Sequence, residues 1–426
     1  MRPTSEQFRA AWPRAVRVVA AWSGSLDAAE DHVAEAMARA VEHDDVEDLT
    51  AWCVRVAKRS LIDERRRAEV LTRITPDLAR AEVAATVTDD RDGPDAGTLP
   101  DGLDDRTALL FVACDPALSP GAQLVLALRV VCGLPLREVA RHLGLTETTA
   151  AARLTRAKRS LARARGSFQV PDAAERLERL PVVADCVAGL FTVAHRAGFD
   201  PPDALADTGS QALSLADALV ALHPGSTELR GLRAVVRLGL ARRPGRVDAD
   251  GVALTLAEVD RSRWDTRLVR LGLADATSAA AGDGRFALEA AISGLHTVAP
   301  SSELTDWPRI VQLYGALEQV WPSPAVTVAR LAARLAAQLA DRPLPADAAV
   351  VAEVEAALVS LAADGPGYAR RDAAYALADL CWRTGRGPEA AARYRALAQQ
   401  ADGEPVRRFC ERRAAQAERI GPPPRP

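Results

Sequence analysis

Thr148, Thr149, Arg153, Arg156, Lys158 and Arg159 place six hydrogen-bonding side chains within little more than three helical turns. None is a nucleophile with a base beside it or an acid paired with another acid. The chemistry they suit is recognition. An arginine fork matches the N7 and O6 acceptors of guanine, and threonine offers a hydroxyl and a methyl to base edges in the major groove. Apolar residues at i, i+3, i+4 and i+7 define the elements that hold them. Leu136, Val139, Ala140 and Leu143 form one buried face, and Ala150, Leu154, Ala157 and Leu161 form the next. Gly144 ends the first helix and Thr146 caps the second. At 100° per residue, Thr148, Ala152, Thr155, Arg156, Arg159 and Arg163 then point outward, with Thr149 and Arg153 on the flank. The pattern is a helix-turn-helix with a basic second helix, which suits DNA; a solvated basic surface helix is the plainer alternative.

The positive charge is local. The chain of 426 residues carries a net charge of −3, yet Pro116–Arg165 holds nine Arg and Lys against two Glu. With 48% hydrophobic but only 4% aromatic residues, its cores are built from Ala, Leu and Val, and the composition predicts an all-α protein of two or three domains. The six cysteines form no CxxC pair and sit at no zinc spacing with histidine, so buried reduced thiols are expected. No signal peptide opens the sequence and no apolar run reaches membrane-spanning length. A cytoplasmic protein without a membrane partner is the expectation.

Residues 1–70 read as a compact helical domain. Phe8, Trp12, Ala15, Val16 and Val19 share a face, and a second helix starts at Asp27. After the acidic turn Asp44–Asp48, a third helix from Leu49 to about Arg67 buries Trp52, Cys53, Val56, Ala57 and Leu61 and presents Arg55, Lys58, Arg59, Arg65 and Arg66. Residues 71–115 form a linker, its stretch Thr86–Asp105 rich in Asp, Gly and Pro. The helix-turn-helix domain spans 116–168. Residues 171–420 read as amphipathic helices, with Tyr375–Leu380, Gly385 and Glu389–Tyr394 at the spacing of a tetratricopeptide pair. Residues 421–426 are expected to be disordered. Asp260–Asp265 is a dense polar knot around Trp264, read as a salt-bridge cluster before a ligand site. No Walker loop, GxSxG elbow or HExxH is present. The expectation is a protein that is not an enzyme and uses no cofactor or metal.

Taken together, two basic helical modules joined by an acidic tether resemble a bacterial RNA polymerase sigma factor of the extracytoplasmic-function group. Ala29–Asp31 with Ala34–Ala36 resembles the region 2 helix that docks on the polymerase clamp, and Ala51–Asp63 followed by Arg65–Arg67 resembles the helix that meets the promoter −10 element. Leu118–Pro120 through Arg159 resembles region 4, the reader of the −35 element. The long C-terminal half resembles that of a subgroup with a TPR-like extension, through Phe111–Pro120, Asp260–Asp265, Asp306-Trp307 with Leu313-Tyr314, and Pro322–Pro324. It departs from the subgroup at Asp115, Glu258-Val259, Ala194–Gly198 and Ala329.

The resemblance implies two partners, core RNA polymerase and promoter DNA. It assigns Glu30, Asp31 and Glu35 to the polymerase. Arg55, Lys58, Arg59, Arg65 and Arg66 fall to the −10 element, and Thr148, Thr149, Arg153, Arg156, Lys158 and Arg159 to the −35 element. With few aromatics to stack a flipped base, the turn Asp44–Asp48 is the expected base-capturing element. An intramolecular contact by which the C-terminal half regulates the sigma module is also expected. The alternative is a one-component helix-turn-helix regulator whose helical half senses a ligand or partner.

Overall fold

The computed structural model describes residues 3–43, 46–74, 99, 102–197, 207–339, 347–401 and 403–419. Among them there are helices and no strand, only an isolated bridge between Val247 and Ala253. The all-α class expected from composition is the one observed. Most of the linker, the residues Asp44 and Asp45 of the acidic turn and the tail 421–426 lie outside the described residues. The chain divides into two compact units, one of Met1–Ala194 with Pro201–Leu222, the other of His195–Asp200 with His223–Pro426.

The first unit opens with α1 (Ser5–Ser23), α2 (Leu26–Ala40) and α3 (Leu49–Ile74), each packed on the other two. Their ends follow local chemistry. Thr4 and Gln7 form a capping box at the start of α1, Gly24 closes it in the left-handed region, and Ser25 caps α2. Next come α4 (Asp105–Ala113), capped by Asp104, then α5 (Pro120–Leu126), which runs into a π-helical turn at Ala127–Val131. The apolar stretch Gln123–Val131 thus lies in two segments, closed by the wide bond from Cys132 N–H to the Ala127 carbonyl.

The helix-turn-helix is α6 (Leu136–Leu143) and α7 (Glu147–Arg165). Gly144 sits between them at φ +62°, and Thr146 accepts from the Thr149 N–H at 3.2 Å. Both signals predicted for that turn are present. The unit closes with most of α8 (Ala173–Ala197) and with α9 (Thr208–Leu222). Gly189 of α8 lies against Leu124 of α5, where a Cβ would come within 3.2 Å.

The second unit is a run of helices in which successive members pack on one another. It comprises α10 (Thr227–Ala241), α11 (Thr266–Ala279), α12 (Arg285–Val298), α13 (Trp307–Val320), α14 (Pro324–Leu339), α15 (Ala348–Asp364), α16 (Gly367–Arg383), α17 (Gly387–Gln399) and α18 (Glu404–Arg419). Close backbone approach is built in at Gly231, where a Cβ on α10 would stand 2.5 Å from the Phe286 backbone of α12. The core is mostly small and aliphatic, around Ile310, Leu317, Leu331, Leu358 and Leu377, with Tyr394 as its largest fully buried side chain.

Candidate nucleic-acid and polymerase interface

On α7 the buried stripe is Ala150, Leu154, Ala157, Lys158 and Leu161. Thr148, Arg153, Arg156 and Arg159 are exposed and Thr149 is half-buried. Arg156 is steadied by its Nε donating to the Ala152 carbonyl one turn back, at 3.1 Å. The result is a rigid helix with one face of guanidinium and hydroxyl groups open to solvent. That is the arrangement a major-groove reader needs.

Lys158 lies elsewhere. Its ammonium is buried between Asp27 at 2.7 Å and Glu30 at 2.5 Å, both on α2. Glu30, itself only 2% exposed, also pairs with Arg129 from the π-helical turn. Burial works against the Lys158 charge, but Glu30 and Asp27 outweigh it and hold its pKa above the ordinary lysine value. Two residues assigned to different partners, Glu30 to the polymerase and Lys158 to DNA, hold each other here. The spacing contained the signal: Lys158 follows Leu154 by four residues and therefore lies on the buried stripe. Asp31 and Glu35 are exposed, with Glu35 bonded to Arg39 at 2.6 Å.

The same surface of the unit is fastened at two further points. The Trp12 indole N–H donates to the Val130 carbonyl at 2.9 Å, and Arg17 on α1 pairs with Asp105 on α4. Arg129 also lies over the Trp12 ring, 5.2 Å from its centroid. These contacts join α1 and α2 to the segment carrying the helix-turn-helix.

On α3, Arg55, Arg59 and Arg66 are exposed. Lys58 and Arg65 lie over the Trp22 ring, 5.3 and 5.9 Å from its centroid. Arg59 lines a hollow of about 260 Å³ with Arg39, His43, Trp52, Ser60 and Asp63. The rings of His43 and Trp52 are 5.3 Å apart and tilted by 58°. Sequence periodicity placed Trp52 with the core; the structure places it, half-buried, in the wall of this hollow. A pocket with an indole, an imidazole and the guanidinium groups of Arg39, Arg59 and Arg67 can stack and hydrogen-bond a flipped base, the role expected from sequence for Asp44–Asp48.

A second knot lies at the far end of α7. Asp115, buried, pairs with Arg165 at 2.6 Å and with Arg179 of α8 at 3.2 Å; Arg165 also reaches Glu175 at 2.9 Å. Arg179 donates to the Phe111 carbonyl at 3.0 Å. Asp115, a departure from the resembled subgroup, is thus the carboxylate to which α7 and α8 are both tied. In the second unit, Glu355, Cys381 and Glu389 stand close enough to share a metal ion, but Arg386 and Arg393 already occupy both carboxylates. Burial pushes the Cys381 thiol up, away from the thiolate a metal would need.

Comparison with known proteins matches residues 111–161 to the model of sigma-70 region 4, and residues 179–280 to a family of unknown function, DUF6596. An uncharacterized protein of Rhizobium meliloti is 36% identical over 330 residues, which are 75% of this chain and 77% of that protein. A probable ECF RNA polymerase sigma factor of Mycobacterium tuberculosis, SigI, is 26% identical over 189 residues, 44% of this chain and 64% of that protein. No solved structure matches the chain. No described helix is long and apolar enough to cross a membrane.

Proposed function

We propose, from the premise that the chain is a sigma-70 family member and belongs to one family with the uncharacterized Rhizobium meliloti protein, that it acts as an extracytoplasmic-function sigma factor. It carries core RNA polymerase to promoters, and its C-terminal helices control that activity. The observation that carries the reading is the helix-turn-helix of α6 and α7, with Thr148, Arg153, Arg156 and Arg159 presented on one open face within the region 4 match.

The mechanism is recognition and positioning, with no catalysis. α7 enters the major groove at the −35 element, where phosphate contacts set the register and side chains on base edges set the sequence. Arg55, Arg59 and Arg66 on α3 meet the −10 element, and the Trp52–His43 hollow takes a base out of the stack. Glu30 and Lys158 serve those partners only after their mutual pair opens, so the arrangement described is the closed member of an equilibrium that polymerase and promoter shift. Support for control by the C-terminal helices comes from Asp115, which ties α7 to α8 through Arg165 and Arg179.

The test is copurification with core polymerase followed by sequencing of the transcripts made in vitro. Defined start sites that depend on the protein are expected. A protein that shifts free duplex DNA and never copurifies with polymerase is instead a one-component regulator. Control by the extension is tested with a chain ending after Arg165, which removes α8 with its tie to Asp115 and every helix after it. Its transcription should differ from that of the full chain while polymerase binding persists; equal transcription under all conditions removes the regulatory role.

A further inference from the structure

The segment matched to a family of unknown function, with the helices that follow it, contains a half-buried cationic cluster without a counter-charge among the described residues. Arg242 follows the end of α10, Arg261 opens the short 3-10 turn Arg261–Arg263, and His296 lies in the last turn of α12. All three gather at that last turn. Arg242 Nη1 donates to the Thr297 hydroxyl at 3.2 Å and approaches the Ser293 carbonyl at 3.5 Å, while Arg261 Nη1 donates to the His296 carbonyl at 3.2 Å. The Arg261 guanidinium also covers the Trp264 ring, 4.8 Å from its centroid.

No described carboxylate comes within ion-pair distance of Arg242 or Arg261. The two acids of the knot are committed elsewhere: Asp260 accepts from the Ser262 N–H and Asp265 from the Leu268 N–H, each capping its own turn. The salt-bridge cluster expected for Asp260–Asp265 is therefore not what the residues make. Glu303, exposed and bonded to the Ser301 hydroxyl, influences Arg261 without pairing with it. The carbonyls at the end of α12 carry about half a negative charge, which offsets a fraction of two guanidinium groups. Arg261 Nη2 and His296 Nδ1 are shielded from solvent and make no hydrogen bond. A shielded polar atom without a partner calls for one, from water or from a ligand. Burial first, then the neighbouring Arg242 and Arg261, depress the His296 imidazole to about 4, and burial first, then Arg246 and Arg261, take Arg242 down to about 10. Both groups lose water first and then meet positive neighbours, with no anion among the described residues to offset either.

We propose that Arg242, Arg261 and His296 form a binding site for a phosphate group, free or carried by a small metabolite. Three donors from three separate elements suit a tetrahedral anion with several terminal oxygens better than a planar carboxylate. Ser262 and Arg263 on the same turn are exposed, so the cluster lies one side chain below the surface. A bound dianion reverses the electrostatics at His296 and favours its protonation, so at pH 8, where phosphate is a dianion in solution, binding takes up a proton, and the uptake fades toward pH 6 as the free phosphate takes up its own.

The experiment is calorimetric titration of the full-length protein with inorganic phosphate, ribose 5-phosphate and acetate, in buffers of different ionisation heat. Saturable binding of a phosphate compound with proton uptake is expected, and the tighter of the two phosphate titrants distinguishes free phosphate from a phosphorylated metabolite. Loss of a charge-assisted bond in Arg261→Gln should weaken it by about tenfold or more, with no change in Arg267→Gln, an exposed control. His296→Gln should keep weakened binding and lose the proton uptake, which keeps the idea testable should Arg261→Gln fold poorly. Absence of saturable phosphate binding, a preference for acetate, or equal affinity in all three variants overturns the site. Polymerase and promoter take no part in the measurement, so its failure is separate from failure of the transcription reading.

Discussion

Two clusters of buried charge invite comparison. In the first unit Glu30 faces Arg129 and Lys158, and Asp115 faces Arg165 and Arg179, so both of these buried carboxylates meet two cations. In the second unit Arg233 and Arg237 close on Asp275 at 2.7 Å in the same way, yet Arg242 and Arg261 have backbone and hydroxyl oxygens only. Removing two charges from water costs several kcal/mol per ion, and attraction within the pair offsets it. A satisfied pair fastens structure. An unsatisfied cation leaves a cost that an incoming anion can remove, and that difference separates a fastening from a site.

The largest effect is expected where the fastening is cut. Glu30→Ala leaves Arg129 and Lys158 facing each other with only Asp27 beside them, and should destabilise the first unit by about 3–5 kcal/mol in chemical denaturation. A loss below about 1 kcal/mol would show that the pair is easily opened, and would bring Glu30 back within reach of polymerase without cost.

The second test concerns the unsatisfied cluster. His296 in the folded chain refuses a proton until about pH 4, whereas the unfolded imidazole accepts one near 6.5. Its contribution is therefore complete above pH 6.5 and is lost as pH falls toward 4, on the order of 3 kcal/mol. Denaturation of parent and His296→Gln proteins at pH 7 and pH 4.5 measures it: the parent should lose more stability than the variant. Added phosphate should shrink the parent's loss if the anion site is occupied.

A third prediction removes charge from the question. Gly231→Ala puts a methyl 2.5 Å from the Phe286 backbone, and the α10–α12 crossing can relieve it only by moving. A destabilisation of about 1–3 kcal/mol is expected. A neutral result would mean that the α10–α12 crossing is loosely packed, which would also undermine the fixed geometry of Arg242 and His296.

The mildest test is at the open face of α7. Arg156→Ala should leave folding unaltered and weaken promoter recognition by about 1–3 kcal/mol at one base position if Arg156 reads a base edge. A phosphate contact would instead lower transcription from all promoter variants evenly. Equal output on every variant removes Arg156 from the interface.

Local chemistry determined much of this protein. Gly144 and Thr146 mark the helix-turn-helix turn because a left-handed glycine and a hydroxyl cap act within a few residues, and periodicity alone set Ala150, Leu154, Ala157 and Leu161 inward and Arg156 and Arg159 outward. In the second unit spacing marks one helix pair, Tyr375–Leu380 and Glu389–Tyr394, which fall on α16 and α17. What only the tertiary structure decided are the pairings across long sequence separation. Glu30 and Lys158 are far apart in the chain, and no local rule says that a carboxylate on α2 and a lysine on α7 neutralise each other. Trp52 sits at a helix position shared between core and surface, so its place in the wall of the hollow depends on His43 and on the helix packed beside it. Asp260 and Asp265 looked like partners for Arg261 and Arg263 because they are adjacent in sequence. The backbone turns them instead to cap nearby N–H groups, and Arg261 is left to a carbonyl on α12 and Arg263 to the Val247 carbonyl. Charge composition is a property of sequence, while which charges are satisfied is a property of the fold.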